Sequence, residues 1–211
     1  MNWELEGGFL MARNWFLRLA FIFGLVFTLS WMEQVPASAE VYTYVSRDYG
    51  YSIDCPQKPL GILPASVLYP DEKGEVLVFA NDGYKINKAW LILTDAFPAD
   101  ELPNLDKLTE KDTRKLLDKL RQSGSYAYVD IIPLSGKKKG LFEVTSKEIE
   151  IDTDGDGKPD TKATADTQMA LTFFRGAKGA RYAIELIDNP KLTQANIDEY
   201  RAAMSTFKEL H

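Results

Sequence analysis

From residue 42 onward the sequence is a succession of short aromatic and aliphatic runs, each ended by a turn signal. The first two runs, 42–46 and 51–55, flank Arg47-Asp48-Tyr49-Gly50, a pattern that favours a β-hairpin. The other runs that we interpret as strands are 65–69, 75–80, 89–94, 126–134, 141–151, 168–175 and 181–187. Because strands joined by short turns pair antiparallel, this order predicts an antiparallel sheet built of hairpins.

Two further segments have helical rather than alternating periodicity. Thr109 and Asp112 resemble a capping box, Gly124 is suited to follow a helix end, and Thr193 is suited to cap a second helix. The apolar residues at helical spacing are Leu105, Leu108, Leu116, Leu117 and Leu120 in the first segment, and Ile197, Tyr200, Met204 and Phe207 in the second. Hairpins with about two helices packed on their faces predict an α+β domain.

Three strand details can be tested by a structure. We interpret 56–64 as an irregular loop. In 141–151 the apolar positions change parity after Val144, which predicts a bulge or strong twist near Ser146 or Lys147. In 181–187 the alternation places Tyr182, Ile184 and Leu186 on one face, and Arg181, Ala183 and Glu185 on the other.

Three lysines, Lys137, Lys138 and Lys139, occupy the turn that precedes residue 141. Such a charged turn is usually a solvated hairpin tip, which is the interpretation that we favour. An anion-binding patch is the alternative.

The N-terminal region has the pattern of a cleavable signal peptide. Arg13 and Arg18 precede an uncharged apolar run, 19–31, that is too short to cross a bilayer as a helix. The small residues at 37–39 are suited to signal peptidase cleavage after Ala39. We therefore expect residues 1–39 to be removed, with translation starting at Met11, whereas an uncleaved anchor is the alternative.

Cleavage would leave a single domain, 40–211, exported to the periplasm, the cell envelope or the medium without a stable membrane anchor. Removal of 1–39 takes two of the 25 basic and three of the 31 acidic residues, so the remaining net charge is about −5. Mild acidity spread along the chain argues against nucleic acid or an anionic membrane as the main partner. An envelope protein or a small ligand is the partner that we expect, and the sequence does not define the oligomeric state.

Cysteine and histidine usage excludes several chemistries. Cys55 is the only cysteine, so an intrachain disulfide is impossible, and a buried structural thiol is favoured over a reactive one. His211, the only histidine, is the last residue. Ser-His and Cys-His catalysis and histidine-based zinc sites are therefore disfavoured.

One motif carries metal chemistry. Residues 152–160 match the start of an EF-hand loop, with acidic side chains at loop positions 1, 3, 5 and 9 and Gly157 at the turn. The predicted calcium ligands are the carboxylates of Asp152, Asp154, Asp156 and Asp160 and the carbonyl of Lys158. Ala163 stands where the EF-hand glutamate belongs, and strands flank the loop, so this is not an EF-hand. Asp166 or Glu150 would complete the shell, and a bare hairpin turn is the alternative.

Three segments together resemble the PsbP-like family, which has many exported bacterial members. They are the opening strand 49–56, the penultimate strand 180–186 and the closing helix with Ser205-Thr206-Phe207. The resemblance implies an antiparallel sheet with helices packed on its faces, and a role in binding or assembly. It transfers no functional residue, and the aspartate loop is not part of the family pattern.

Three function classes follow. The first is a non-catalytic exported binding or assembly domain stabilised by calcium, with a ligand over the tyrosines at 42, 44, 49 and 51 unless these are core residues. The second is a hydrolase of envelope glycans or similar substrates that uses paired carboxylates about 5–10 Å apart in a deep cleft. The third is a subunit of an envelope complex, which large exposed apolar patches would indicate.

Overall fold

The computed structural model describes residues 41–80, 86–146, 148–151, 161–164, 168–188 and 192–210. The predicted export segment 1–39, the expected start at Met11, the expected mature N-terminus at Glu40 and the terminal His211 lie outside the described residues.

The described part of the chain forms twelve strands and two α-helices. The strands are β1 (Tyr42–Ser46), β2 (Tyr51–Cys55), β3 (Gly61–Pro64), β4 (Lys73–Ala80), β5 (Ile86–Thr94), β6 (Tyr126–Pro133), β7 (Lys139–Thr145), β8 (Glu148–Ile151), β9 (Thr161–Thr164), β10 (Ala170–Arg175), β11 (Arg181–Asp188) and β12 (Lys208–Glu209). The helices are α1 (Glu110–Gln122) and α2 (Gln194–Met204).

These strands form three sheets in which every described pairing is antiparallel. The largest has seven strands in the order β3-β4-β5-β11-β10-β7-β6. A smaller sheet has the order β1-β2-β12, and β8 pairs with β9 alone. The predicted α+β class with an antiparallel sheet of hairpins is therefore confirmed.

One face of the seven-stranded sheet packs against the three-stranded sheet and α2. Trp90, Phe142 and Ile184 of the large sheet meet Tyr51 of the small sheet and Tyr200 of α2 in one buried cluster. The Tyr200 hydroxyl donates to the Ile184 carbonyl at 2.6 Å and lies 2.9 Å from the Thr172 hydroxyl. The predicted apolar stripe of the last helix is thus core packing.

The opposite face of the large sheet is covered by α1 and by the segments that precede it. Leu117 and Leu120 of α1 pack with Val129 and Leu141 of the sheet. Ala65, the first residue of a 3-10 turn, and Tyr69 just after that turn cover Leu91 and Ala183. Because both faces are covered, the central strands are buried on both sides.

Both predicted helix starts are confirmed. The Thr109 hydroxyl accepts a hydrogen bond from the Asp112 backbone N–H at 3.2 Å, and Thr193 does the same for Asn196 at 3.2 Å. Gly124 follows α1 with a φ of 71°, a backbone conformation that residues with a Cβ rarely adopt.

Two predicted strands are wrong in detail. Residues 65–69 are not a strand: Ala65–Val67 form a 3-10 turn, and Ala65 and Tyr69 are buried. The strand before β4 is β3, within the segment that we expected to be a loop. The predicted strand 141–151 is divided between β7 in the large sheet and β8 in the two-stranded sheet. The parity change thus marks the point where the chain leaves the large sheet, rather than a bulge within one strand.

No helix in the described ranges is long and apolar enough to cross a membrane.

The Tyr200 hydroxyl provides a test of the packing on the α2 face. Tyr200→Phe keeps the ring but removes the donor to a buried carbonyl, so we expect the free energy of unfolding to fall by about 1–3 kcal/mol. Urea denaturation checks this, with Tyr42→Phe as the control because Tyr42 is an exposed strand residue. Equal stabilities for the two variants would contradict the packing role.

Candidate functional site

The predicted calcium ligands at 152, 154, 156, 158 and 160 lie outside the described residues, as does Asp166. The strands on either side are described, and Ile151 of β8 pairs with Thr161 of β9. This confirms that strands, not helices, flank the loop. In the described ranges there is no group of three or more His, Cys, Asp or Glu residues that could hold a metal ion.

Two of the four tyrosines proposed as a ligand platform lie in the core. Tyr44 and Tyr51 are buried between the two packed sheets, and both hydroxyls donate to Oε2 of Glu75, at 3.0 and 2.7 Å. Burial is the main reason that the pKa of each phenol is raised, and the nearby Glu75 raises it further. The ligand platform is therefore wrong for Tyr44 and Tyr51, and their interpretation as core residues is confirmed.

Cys55 is a buried free thiol at the end of β2. Burial raises the pKa of this thiol to about 12, with a smaller contribution from Asp54. Because the thiolate is the reactive form of cysteine, burial and a raised pKa both disfavour reactivity at Cys55. The prediction of a buried structural thiol is confirmed.

Two open clefts lie side by side at one end of the molecule, around the tip of the β10–β11 hairpin. The first, which we call the Lys208 cleft, has a volume of about 270 Å³ and is lined by Leu134, Ser135, Gly136, Lys138, Phe174, Arg175, Gly176, Phe207, Lys208 and Glu209. The second, the Lys178 cleft, is wider, at about 700 Å³, and is lined by Tyr49, Gly50, Asp95, residues 177–182, Glu209 and Leu210.

Glu209 lines both clefts and ties β12 to the hairpin tip. Its carboxylate accepts a hydrogen bond from the Ala177 backbone N–H at 2.6 Å and another from the Tyr182 hydroxyl at 3.4 Å. A Cβ at Gly176 would collide with this carboxylate and with the Tyr182 ring, so the close approach requires glycine.

Backbone strain concentrates at the same end. Asp95, Lys137 and Lys178 are the non-glycine residues with positive φ in the described part of the chain, at 55°, 64° and 53°. This conformation costs a residue with a side chain about 1–2 kcal/mol, and such strain is common at ligand sites. Asp95 and Lys178 line the wider cleft, and Lys137 belongs to the turn that borders the other.

The charges around the clefts are only partly paired. Lys138 forms an ion pair with Asp106 at 3.3 Å, and Arg181 forms one with Asp95 at 3.4 Å. Arg175 donates from its Nε to the Leu102 carbonyl at 2.9 Å, and its Nη2 bonds the Ala99 and Leu102 carbonyls. Lys208 is exposed and has no ion-pair partner among the described residues.

A second unusual feature is a pair of buried carboxyl groups on the α1 face of the large sheet. Glu185 of β11 and Glu143 of β7 are both direct partners of Leu171 on the strand between them. They are 2% and 3% exposed, and burial raises the pKa of each to about 8. Neither carboxylate oxygen of Glu185 has a hydrogen-bond partner in the described part of the chain.

This pair does not form a hydrolase site. The backbones of Glu143 and Glu185 are two strand spacings apart, about 9.5 Å. This is similar to the distance between the two carboxyl groups of carboxylate hydrolases. Both groups are enclosed, however, and a polymeric substrate could not reach them. The carboxylates that do line the clefts, Asp95 and Glu209, are already engaged by Arg181 and by the hairpin tip.

Sequence reasoning missed both the clefts and the buried pair. The alternation in 181–187 correctly separated Glu185 from Tyr182, Ile184 and Leu186, which lie in the core cluster on the α2 face. It could not show that the other face is covered as well. The clefts bring together residues from five separate segments, and no local pattern marks such a convergence.

Comparisons with known proteins add little. No protein-family profile matches this chain, and no curated protein sequence matches it. Among solved structures, the chain is similar to the solution structure of cyanobacterial PsbP (CyanoP) from Synechocystis sp. PCC 6803, with a TM-score of 0.41 and 10% identity over 86% of this chain and 98% of that chain. We draw no conclusion from a similarity of this degree, and the resemblance to the PsbP-like family stays a prediction.

The buried pair predicts an unusual dependence of stability on pH. A carboxyl whose pKa is raised by folding holds its proton while the unfolded chain loses it, so stability should fall as pH rises from about 4.5 to 8. Each group contributes about 1.4 kcal/mol per pH unit in that window at most.

Glu185→Gln removes this titration and should stabilise the protein at pH 8 while changing little near pH 4.5. Urea unfolding at both pH values measures the difference. Glu110→Gln, at an exposed position on α1, is the control. If the free energies of unfolding of Glu185→Gln and the wild type differ by the same amount at both pH values, the raised pKa of Glu185 is refuted.

Proposed function

We propose that this chain is an exported, non-catalytic binding or assembly domain of the cell envelope that holds one calcium ion in residues 152–160. The proposed ligands are the carboxylates of Asp152, Asp154, Asp156 and Asp160 and the carbonyl of Lys158. Membership of the PsbP-like family is part of the same proposal, and it rests on the sequence segments alone.

The pairing of β8 with β9 is the observation that carries the calcium proposal. Four residue pairs, from Glu148 with Thr164 to Ile151 with Thr161, join the two ends of the aspartate segment. A hard dication binds six to eight oxygens at about 2.3–2.6 Å. Because the two ends of this short segment are held together, alternate aspartates can converge on one such ion. Without a cation, the mutual repulsion of the carboxylates would oppose that convergence.

The two clefts at the hairpin tip support binding rather than catalysis. Each is open, and the carboxylates that line them are held by structural contacts: Asp95 with Arg181, and Glu209 with Ala177 and Tyr182. Strained backbone at Asp95 and Lys178 shows that the surrounding fold holds this region in a defined shape. A rigid, partly apolar concavity is suited to a small ligand or to a side chain of a partner.

Calcium binding is tested by thermal melting of the purified protein in EDTA and in millimolar calcium. We expect calcium to raise the melting temperature of the wild type, because an ion that binds only the folded state stabilises it by mass action. The double substitution Asp154→Asn and Asp156→Asn should abolish the shift. The matched control is the pair Asp112→Asn and Asp118→Asn on α1. Equal melting temperatures in EDTA and calcium for the wild type would contradict the proposal.

Export is tested separately by the N-terminus of the protein recovered from cells that express the full chain. We expect the mature protein to begin at Glu40, and the precursor to begin at Met11. Intact-mass measurement of both forms, in the wild type and in an Ala39→Pro variant that should block cleavage, checks this. A cell-envelope fraction that retains residues 11–39 would indicate an anchor instead.

A further inference from the structure

We propose that two copies of this chain associate edge to edge through β3, so that their seven-stranded sheets join into one antiparallel sheet. This inference goes beyond the proposed function, because it names a second copy of the chain as a partner and holds with or without calcium. Its supports are an unpaired strand edge, exposed aliphatic side chains on both faces of that edge, and a surface segment without charge.

β3 is the outermost strand on its side of the large sheet. It pairs with β4, from Gly61 with Val78 to Pro64 with Glu75, and no other strand in the described ranges pairs with it. An edge strand leaves alternate backbone N–H and C=O groups without partners in the sheet, and a strand of another chain can pair with them. The occupant that completes this edge is therefore an extended strand.

The side chains along this edge are aliphatic and exposed. Ile62 lies opposite Leu77 on the α2 face, whereas Leu63 lies opposite Val76 on the other face. Ile62 and Leu63 are 49% and 45% exposed, and Leu60, just before β3, is 50% exposed. Because the layers that cover the sheet leave these side chains half exposed, a second strand beside β3 would bury apolar surface on both faces.

The same segment carries no charge. Residues 59–70 contain no Asp, Glu, Lys or Arg, although 27% of the chain is charged. Two copies with a net charge of −6 repel each other, and an uncharged edge is where this repulsion opposes contact least. The opposite edge strand, β6, differs, since its Asp130 forms an ion pair with Arg201 at 3.8 Å and its Val129 is covered by α1.

A second copy fits this edge because the segment 60–64 is complementary to itself. In an antiparallel pairing about a two-fold axis at Ile62, the two Ile62 residues lie opposite each other, Leu63 lies opposite Gly61, and Leu60 lies opposite Pro64. Aliphatic side chains then meet across the whole contact, and Pro64, which has no N–H to donate, keeps the ladder short. Such a two-fold contact uses the β3 edge of both copies and closes as a dimer.

Sedimentation equilibrium of the protein purified from cells that express the full chain tests the association. We expect a reversible monomer–dimer equilibrium with a Kd below about 100 μM, as a small interface predicts. Ile62→Lys places two like charges opposite each other and should weaken the dimer at least about 10-fold. Val45→Lys, at a 48% exposed position on the edge strand of the small sheet, should leave the Kd unchanged. A wild type that stays monomeric up to about 1 mM, well above the Kd expected of a small interface, or equal weakening by both substitutions, would overturn the inference.

Cross-linking tests the geometry of the contact. Ile62→Cys would place two thiols on directly opposed residues, whose Cβ atoms lie about 4.5–5.5 Å apart, so a short bismaleimide should join the two copies. The native Cys55 is buried and should not react, and Val45→Cys is the matched control. Equal cross-linking of the two variants would contradict pairing through β3.

The dimer and the calcium site are separated by measuring both in each variant. Because Ile62 and Val45 are both half exposed, we expect all the variants to melt near the wild-type temperature and to keep the calcium-dependent shift. A monomeric wild type that still responds to calcium would refute the dimer alone. A dimer without a calcium response would refute only the calcium proposal.

Discussion

Burial of the large sheet on both faces is the constraint on which the rest of this structure depends. In β5 the five consecutive residues 89–93 are all buried, because α2 and the small sheet cover one side while the 65–69 segment covers the other. A central strand of this kind must be apolar at successive positions rather than at alternate ones. A polar residue that falls in such a strand must find a partner or lose its charge. Lys88, which pairs with Glu199 of α2, follows the first course, and Glu185, whose pKa burial raises to about 8, follows the second.

The same layering explains why the clefts lie at one end. The small sheet and the helices cover the two faces of the large sheet. The turns between strands therefore come together at the ends of the strands. At this end the hairpin tip, the turn at 135–138 and the short strand β12 meet around Glu209. The strained Lys137 lies in a turn closed by the hydrogen bond from the Leu134 N–H to the Lys138 carbonyl, and the strained Lys178 lies in a hairpin tip closed by the bond from the Gly176 N–H to the Ala180 carbonyl. Phe174 and Phe207, which line the smaller cleft, belong to the core beneath.

Local signals in the sequence predicted elements well where each element contains its own start and stop. Thr109, Asp112 and Gly124 define α1, and the alternation in 181–187 defines β11, because capping and side-chain parity act over three or four residues. Prediction failed where a neighbour in space decides the outcome. Residues 65–69 are rich in strand formers, yet Ala65 and Tyr69 turn inward to cover the sheet instead of joining it. Likewise, the run 141–151 looks like one strand, and only pairing partners distant in sequence divide it between two sheets.

By itself, the sequence determined the fold class, both helices, the impossibility of an intrachain disulfide and the identity of the aspartates proposed to bind calcium. These follow from periodicity, residue type and spacing, which are local properties. The tertiary structure alone decided that Tyr44 and Tyr51 are core residues, that Glu143 and Glu185 lie in an apolar layer, and that five separate segments meet around the two clefts. The physical reason is that burial, pKa and cleft shape depend on which elements pack against each other. In an antiparallel sandwich most of those contacts join residues that are far apart along the chain.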